Sequence, residues 1–253
     1  MVKRLVIVGD SFCADRKIAT DWPVKLANML GRQLRGEGRG GRAWWTTRSW
    51  IYKNIGQIDQ DTILIVCHTS PSRLPNQNHY PISTGILHSE VSAPSNDLRL
   101  VDPNGELFNL AKNFYLSDLY VHEFYEWAGR CWLHEVNNLA QRVHKLIHLP
   151  GPDAIHHSFD TQYSNSIRIE PSLECKALVD LSMKELKQNG RKFFGPDARH
   201  NHLTEHNNIK LAEALYTIIK SESAPTNPMH FDNLNEWSFT NDDFKVRMDF
   251  ENY

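Results

Sequence analysis

Ser11 stands in a Gly9-Asp10-Ser11 turn directly behind the apolar run Leu5-Val6-Ile7-Val8. A serine hydroxyl becomes a useful nucleophile when an imidazole takes its proton and a carboxylate holds that imidazole in the right tautomer. Both groups occur near the other end of the chain, in Pro196-Asp197-Ala198-Arg199-His200-Asn201-His202-Leu203-Thr204-Glu205. Asp197 would orient the ring, and His202, or His200 in the alternative spacing, would act as base and then as acid. Taken singly, each feature has an ordinary explanation. Asp10-Ser11 is good turn-capping chemistry, and residues 196–205 describe a polar loop closed by a helix cap at Thr204.

Taken together, a Gly-Asp-Ser block after the first strand and an Asp and a His just before the last helix resemble the SGNH hydrolase superfamily, the GDSL esterases. The resemblance runs from about residue 5 to residue 219. His202-Leu203-Thr204-Glu205, with Ala212 ten positions on, looks like that family's run from its catalytic histidine into the closing helix. Trp22-Pro23 followed by Leu26 looks like the helix after the serine in its phage and environmental branches. The turn is not the Gly-x-Ser-x-Gly elbow of α/β-hydrolases, because Cys13 stands where the second glycine belongs.

The resemblance implies a serine esterase or acetyl-hydrolase that cleaves an ester, such as an O-acetyl group on a carbohydrate, through an acyl-enzyme intermediate. Ser11, Asp197 and His202 would form its triad, with no cofactor and no metal. Two details depart from the family pattern. Its common Asp-x-x-His spacing would pair Asp197 with His200, whereas the register of the following helix favours His202. Its Gly-x-Asn-Asp block, source of an oxyanion donor, is missing. At the matching place stands Cys67-His68-Thr69-Ser70-Pro71-Ser72-Arg73. The resemblance then assigns the oxyanion to the backbone N–H of Ser11, to Gly41 and to the Thr69/Ser70 hydroxyls, with Arg73 available for an anionic substrate group. Loss of one such donor costs on the order of 10²–10³ in rate. The missing asparagine therefore sustains a second reading: a non-catalytic SGNH-like module, structural or carbohydrate-binding, in a larger assembly such as a virus particle.

The elements that must position these residues can be read from the apolar pattern. Leu5–Val8 and Thr62–Cys67 are short β-branched runs of the kind buried on both faces in a parallel sheet. Trp22–Leu30 reads as a helix with Pro23 in its first turn and Gly31 as its stop, and Ile51–Ile58 as a second, weaker one. Residues 71–111 are rich in proline and read as an excursion, with a hairpin near Asp102-Pro103-Asn104-Gly105. Helical stretches follow at 111–128 and 130–144, then Leu146–Leu149 and Ala154–His157 as two further strands or as one strand and a loop, a helix over Leu173–Gln188 and a last amphipathic helix from Thr204 to Lys220. This pattern predicts an α/β fold, a three-layer α/β/α sandwich on a central parallel sheet, and the resemblance implies that it is of the SGNH-hydrolase or flavodoxin-like type. Residues 1–220 would form that domain, elaborated by a loop-helical insertion at 71–145, and residues 221–253 a C-terminal arm suited to self-association or assembly contacts.

Composition excludes several alternatives. The chain has 253 residues, 40% hydrophobic and 10% aromatic, which is too apolar for a disordered chain. A formal net charge of -2 argues against a surface built for nucleic acid. The Arg32, Arg35, Arg39 and Arg42 stretch ahead of Trp44-Trp45 reads first as a loop, next as a catalytic rim and only third as an RNA contact. Cys13, Cys67, Cys131 and Cys175 are too far apart for a zinc or redox motif, and the spacing of the histidines favours no required metal. With no signal-like N-terminus and no long apolar run, the expectation is a soluble cytoplasmic protein with no membrane partner, or a virion-associated one under the second reading.

The register argument separates the two histidines. His202→Ala should cost as much activity as Ser11→Ala, because residues that act as a unit fail together. His200→Ala should mainly raise KM. Steady-state kinetics on an activated ester would decide, and the reverse pattern would assign the base to His200.

Overall fold

A computed structural model describes residues 3–13, 19–38, 43–69, 121–150, 163–170 and 205–221, together with 71, 73, 110, 113–114 and 229–230. The two strongest apolar runs form strands at the centre of a parallel sheet. These are β1 (Arg4–Val8) and β3 (Thr62–His68), the latter buried at every position. The order across the sheet is β2 (Gln33–Arg35), β1, β3, β4 (Lys145–Pro150), β5 (Ser166–Glu170) and the two-residue β6 (Met229–His230), and every pairing is parallel.

Alternation along the strands sorts side chains to two faces. Leu5, Ile7, Ile63, Ile65, Ile147 and Ile167 share one core with Trp22 and Leu26 of helix α1 (Trp22–Leu30). Leu211, Leu215 and Ile218 of helix α4 (Glu205–Lys220) complete that face. Val6, Val8, Leu64, Val66 and Leu146 lie in a second core with Ile51 of α2 (Trp44–Lys53) and Trp132 and Val136 of α3 (His122–Asn138). The result is an α/β fold with helices packed on a parallel sheet. Among the described residues no helix is long and apolar enough to cross a membrane.

Several elements match their sequence-based bounds. Helix α1 begins and ends where Pro23 and Gly31 predict, and Gly31 closes it in the left-handed conformation at φ 60. Helix α4 and strands β1, β3 and β4 also fall within a few residues of expectation. Other elements differ. The second helix starts at Trp44 rather than Ile51 and ends at Lys53, with a short 3-10 turn at Ile55–Gln57. The expected break between two helices at Gly129 is absent, and α3 runs through it. One glycine in a helix costs only about 1 kcal/mol against alanine, which the packing of Trp132 and Val136 outweighs. Strands β2 and β5 were not foreseen, because three residues (Gln33–Arg35) and the alternating Ser166-Ile167-Arg168-Ile169-Glu170 carry little apolar signal. Strand β6 lies in the segment expected to be an arm. The hairpin near 102–105, the strand at Ala154–His157 and the helix over Leu173–Gln188 lie outside the described residues.

The strand order matters for function. From β1 the chain first moves outward to β2, then crosses back to β3 on the other side of β1. Crossovers leaving in opposite directions open a crevice at the carboxyl ends of the two strands where they part. Gly9 lies at that edge with φ 154, and a Cβ built on it would stand 2.5 Å from both the Cβ and the carbonyl oxygen of Cys67. The two strands can end side by side only because position 9 has no side chain.

Gly9→Ala should therefore lose about 3 kcal/mol, from overpacking together with backbone strain. Gly31→Ala meets open space and should lose only about 1 kcal/mol, for the left-handed backbone alone. Urea unfolding of the two variants tests this, and equal losses would show that the β1–β3 contact yields easily.

Candidate functional site

Asp10 and Ser11 leave the carboxyl end of β1, and His68 and Thr69 that of β3, so the four residues meet at the crevice. Ser11 opens a 3-10 turn that ends at Cys13. Asp10 is fully buried. Its Oδ1 accepts the backbone N–H of Phe12 at 3.1 Å, and its Oδ2 accepts Nη1 of Arg73 at 3.2 Å. The carbonyl of Asp10 accepts the N–H of Cys13 at 3.3 Å. Burial pushes the Asp10 carboxyl above its usual range, while the Arg73 guanidinium, the Phe12 N–H and the nearby Thr69 hydroxyl hold it back. Asp10 thus shapes the turn that carries Ser11. Arg73, expected to be available for an anionic substrate group, already has a carboxylate partner.

The opposite wall links the serine turn to the last helix. The Trp22 indole Nε1–H donates to the Phe12 carbonyl at 2.7 Å, and the Trp22 backbone N–H donates to Oδ1 of Asn208 at 3.2 Å. The first turns of α1 and α4 are therefore tied together beside the 3-10 turn. Lys145 at the start of β4 anchors the far end of α4, donating through Nζ to the Ile219 carbonyl at 2.9 Å and the Ile218 carbonyl at 3.4 Å. Asp197, His200, His202, Gly41 and Ser70 lie outside the described residues. His202 precedes the first residue of α4, Glu205, by three positions, at most about 10 Å of chain.

A second group of polar residues had escaped the sequence reading. Residues 66, 68, 146 and 148 point to the α2–α3 face, and in register Val66 lies opposite His148. His68 and His148 stack with ring centroids 5.2 Å apart, and Nε2 of His68 lies 2.9 Å from Nδ1 of His148. Both rings are buried, and burial lowers both pKa values: His68 to about 3, and His148 well below the usual range, helped by His68 and Arg168. Both are neutral at pH 7. Among the described residues, Nδ1 of His68 has no hydrogen-bond partner. The buried Thr69 hydroxyl lies near Asp10 but makes no hydrogen bond of good geometry.

His68, Thr69 and His148 border a small pocket walled by Trp44 of α2 and by Trp132 and Leu133 of α3. The two indoles lie with centroids 6.0 Å apart. Arg48 of α2 clamps Glu135 of α3 in a bidentate pair, with Nη2–Oε1 at 2.7 Å and Nε–Oε2 at 2.8 Å, which fixes the spacing of these walls. At the opposite, amino-terminal edge of the sheet, Arg32, expected in a loop, donates to the carbonyls of Arg4 at 3.3 Å and Asp61 at 2.5 Å, so it serves the framework. Among the described residues no three His, Cys, Asp or Glu side chains converge as a metal site would require.

Comparison of the chain with protein-family models, with curated proteins and with solved structures finds no match.

The buried imidazole gives a pH signature. The folded value of His68, about 3, lies below the ordinary 6.5, so below pH ~6.5 the unfolded chain takes up a proton that the native one refuses. The stability tied to a neutral His68 is present above pH 6.5 and is lost as pH falls towards 3, at up to about 1.4 kcal/mol per pH unit. His68→Asn should flatten the slope of unfolding free energy against pH in that window by this one-proton amount. The raised Asp10 value acts in the opposite direction and is common to both proteins. Urea titrations at pH 7, 5.5 and 4.5 would check it, and unchanged slopes would mean that native His68 protonates freely.

Proposed function

We propose that this protein is a serine esterase of the SGNH type, built as a three-layer sandwich, in which Ser11 attacks the carbonyl of a small-molecule or carbohydrate ester. The observation that carries the reading is the tie from the Ser11 turn through Trp22 to Asn208 in the first turn of α4. The tie sets the first turn of α4, which follows His202 by three residues in the sequence, beside the turn that carries Ser11. His202 removes the serine proton as the tetrahedral intermediate forms, then returns it to the leaving alcohol. Asp197 keeps the imidazole in the donating tautomer and stabilises its cation. Water, activated by the same histidine, clears the acyl-enzyme. The N–H of Ser11, with Gly41 and the Thr69/Ser70 region, supports the oxyanion.

The local chemistry supports this assignment of roles. Asp10 is enclosed by Phe12 and Arg73, which supports giving the role of base to His202 rather than to the serine's neighbour. A serine at the carboxyl edge beside the reversal in strand order sits where open α/β sheets bind their ligands.

Ser11→Ala should lower hydrolysis of p-nitrophenyl acetate by about 10⁴-fold or more while leaving the urea midpoint in place. A fluorophosphonate probe should label the wild type at Ser11 and not the variant. A protein with no labelling and no hydrolysis would be the non-catalytic, carbohydrate-binding or structural module instead. Retained activity in the variant would remove the serine mechanism.

A further inference from the structure

The proposed triad leaves the two buried histidines without a role. His68 of β3 and His148 of β4 are 5% and 1% exposed, and their stacked rings meet through Nε2 and Nδ1 at 2.9 Å. A neutral imidazole has one N–H and one lone pair, so two neutral rings make this contact with a single hydrogen between them. One added proton preserves it, the cation donating and the neutral ring accepting. A second proton does not. Each imidazolium carries hydrogen on both nitrogens, and two N–H groups would then face each other at 2.9 Å. A doubly protonated pair has to part.

The surroundings decide what parts with it. Burial opposes a charge on either ring, and Arg168 of β5 adds to the cost at His148. Towards β1, the Asp10 carboxylate is already held by Phe12 and Arg73. On α3, Trp132 sets its edge against His68, with centroids 6.4 Å apart and planes at 71°. The charged Arg48 of α2 and Glu135 of α3 hold each other, so the two helices are clamped into one unit. The core beneath α1 and α4, on the other face, contains neither histidine.

We propose that the His68–His148 pair is a two-proton latch, which seats α2 and α3 on the carboxyl edge of the sheet when neutral and releases them from the crevice when both rings are protonated. The latch is independent of the esterase reading, since it needs only the pair and the helices above it. Once apart and in water, both rings return to the ordinary value of 6.5. The closed form is therefore favoured above pH 6.5 and loses ground as the pH falls below it. The ratio of open to closed should rise by up to about a hundredfold per pH unit, tenfold for each proton. Glu135, lifted by burial but held down by its Arg48 and Tyr52 hydrogen bonds, lies below its usual range and stays ionised above pH 5. The raised Asp10 value opposes the trend and is common to the variants below.

Amide hydrogen exchange of the full chain at pH 6.5, 6.0, 5.5 and 5.0, corrected for intrinsic rates, reads the opening of each helix separately. Amides of α3 around Trp132 and Val136 should lose protection by up to about a hundredfold per pH unit, and those of α4 around Leu211 and Leu215 at least tenfold less. His68→Gln and His148→Asn each keep a neutral polar group at the contact, and each should reduce the α3 dependence to about tenfold per unit. Equal losses on α3 and α4 would be global unfolding and would overturn the latch. So would a wild-type α3 dependence of one proton or none, or a variant that keeps the two-proton dependence. Should either variant fail to fold, the other variant and the wild-type contrast between α3 and α4 still decide.

Discussion

The buried carboxylate of Asp10 is the interaction on which the crevice depends. Taking such a group out of water costs several kcal/mol even after relaxation, and the position is tolerable only because partners meet it there. One is the N–H of Phe12, which bends the chain back into the Ser11–Cys13 turn. The other is Arg73, which ties the segment after β3 to the end of β1. A single side chain thus sets the conformation of the turn and the path of the neighbouring segment. The arrangement also fixes what Asp10 cannot do. A carboxylate enclosed in this way has no lone pair turned to a substrate, and its chemistry is structural.

The framework around this point was readable in the sequence wherever burial dictated residue type. β1, β3 and β4 are apolar because both of their faces are covered, and α1 is bounded by Pro23 and Gly31 for reasons local to the backbone. The start of α2 was not legible, since Trp44 follows a glycine- and arginine-rich stretch and gains helical form by packing on Trp132 and the second core, while Trp45 stays exposed. β5 was missed because one of its faces carries Ser166 and Arg168, which look like surface residues until Asn137 and the pocket are known to lie opposite. The candidate site divides in the same way. Ser11 could be singled out because its neighbours form a motif. The His68–His148 pair depends on a strand register that joins positions eighty residues apart, and no local pattern encodes it.

The two faces of the sheet are chemically unequal at the carboxyl edge. On the α1–α4 face the side chains remain apolar to the strand ends, with Cys67, Leu149 and Ile169 in the core. On the α2–α3 face the same strands finish in His68, His148 and Arg168. Polar groups at this depth weaken a core, and they are accommodated by neutralising the histidines through burial and by pairing them with each other. A purely structural sheet gains nothing from such an arrangement over leucine or valine at the same positions. Its cost is concentrated where the strand order reverses and a ligand crevice is expected.

The inequality gives the proposed chemistry a direction. The apolar face carries the tie between the Ser11 turn and α4, so the base-bearing segment would approach from that side. The polar face carries the pocket walled by Trp44, Trp132 and Leu133. Ser11 begins its turn at the boundary, one residue beyond the carboxylate that holds the two halves together. An ester bound in this way would lie across the ends of β1 and β3 with its carbonyl over the serine.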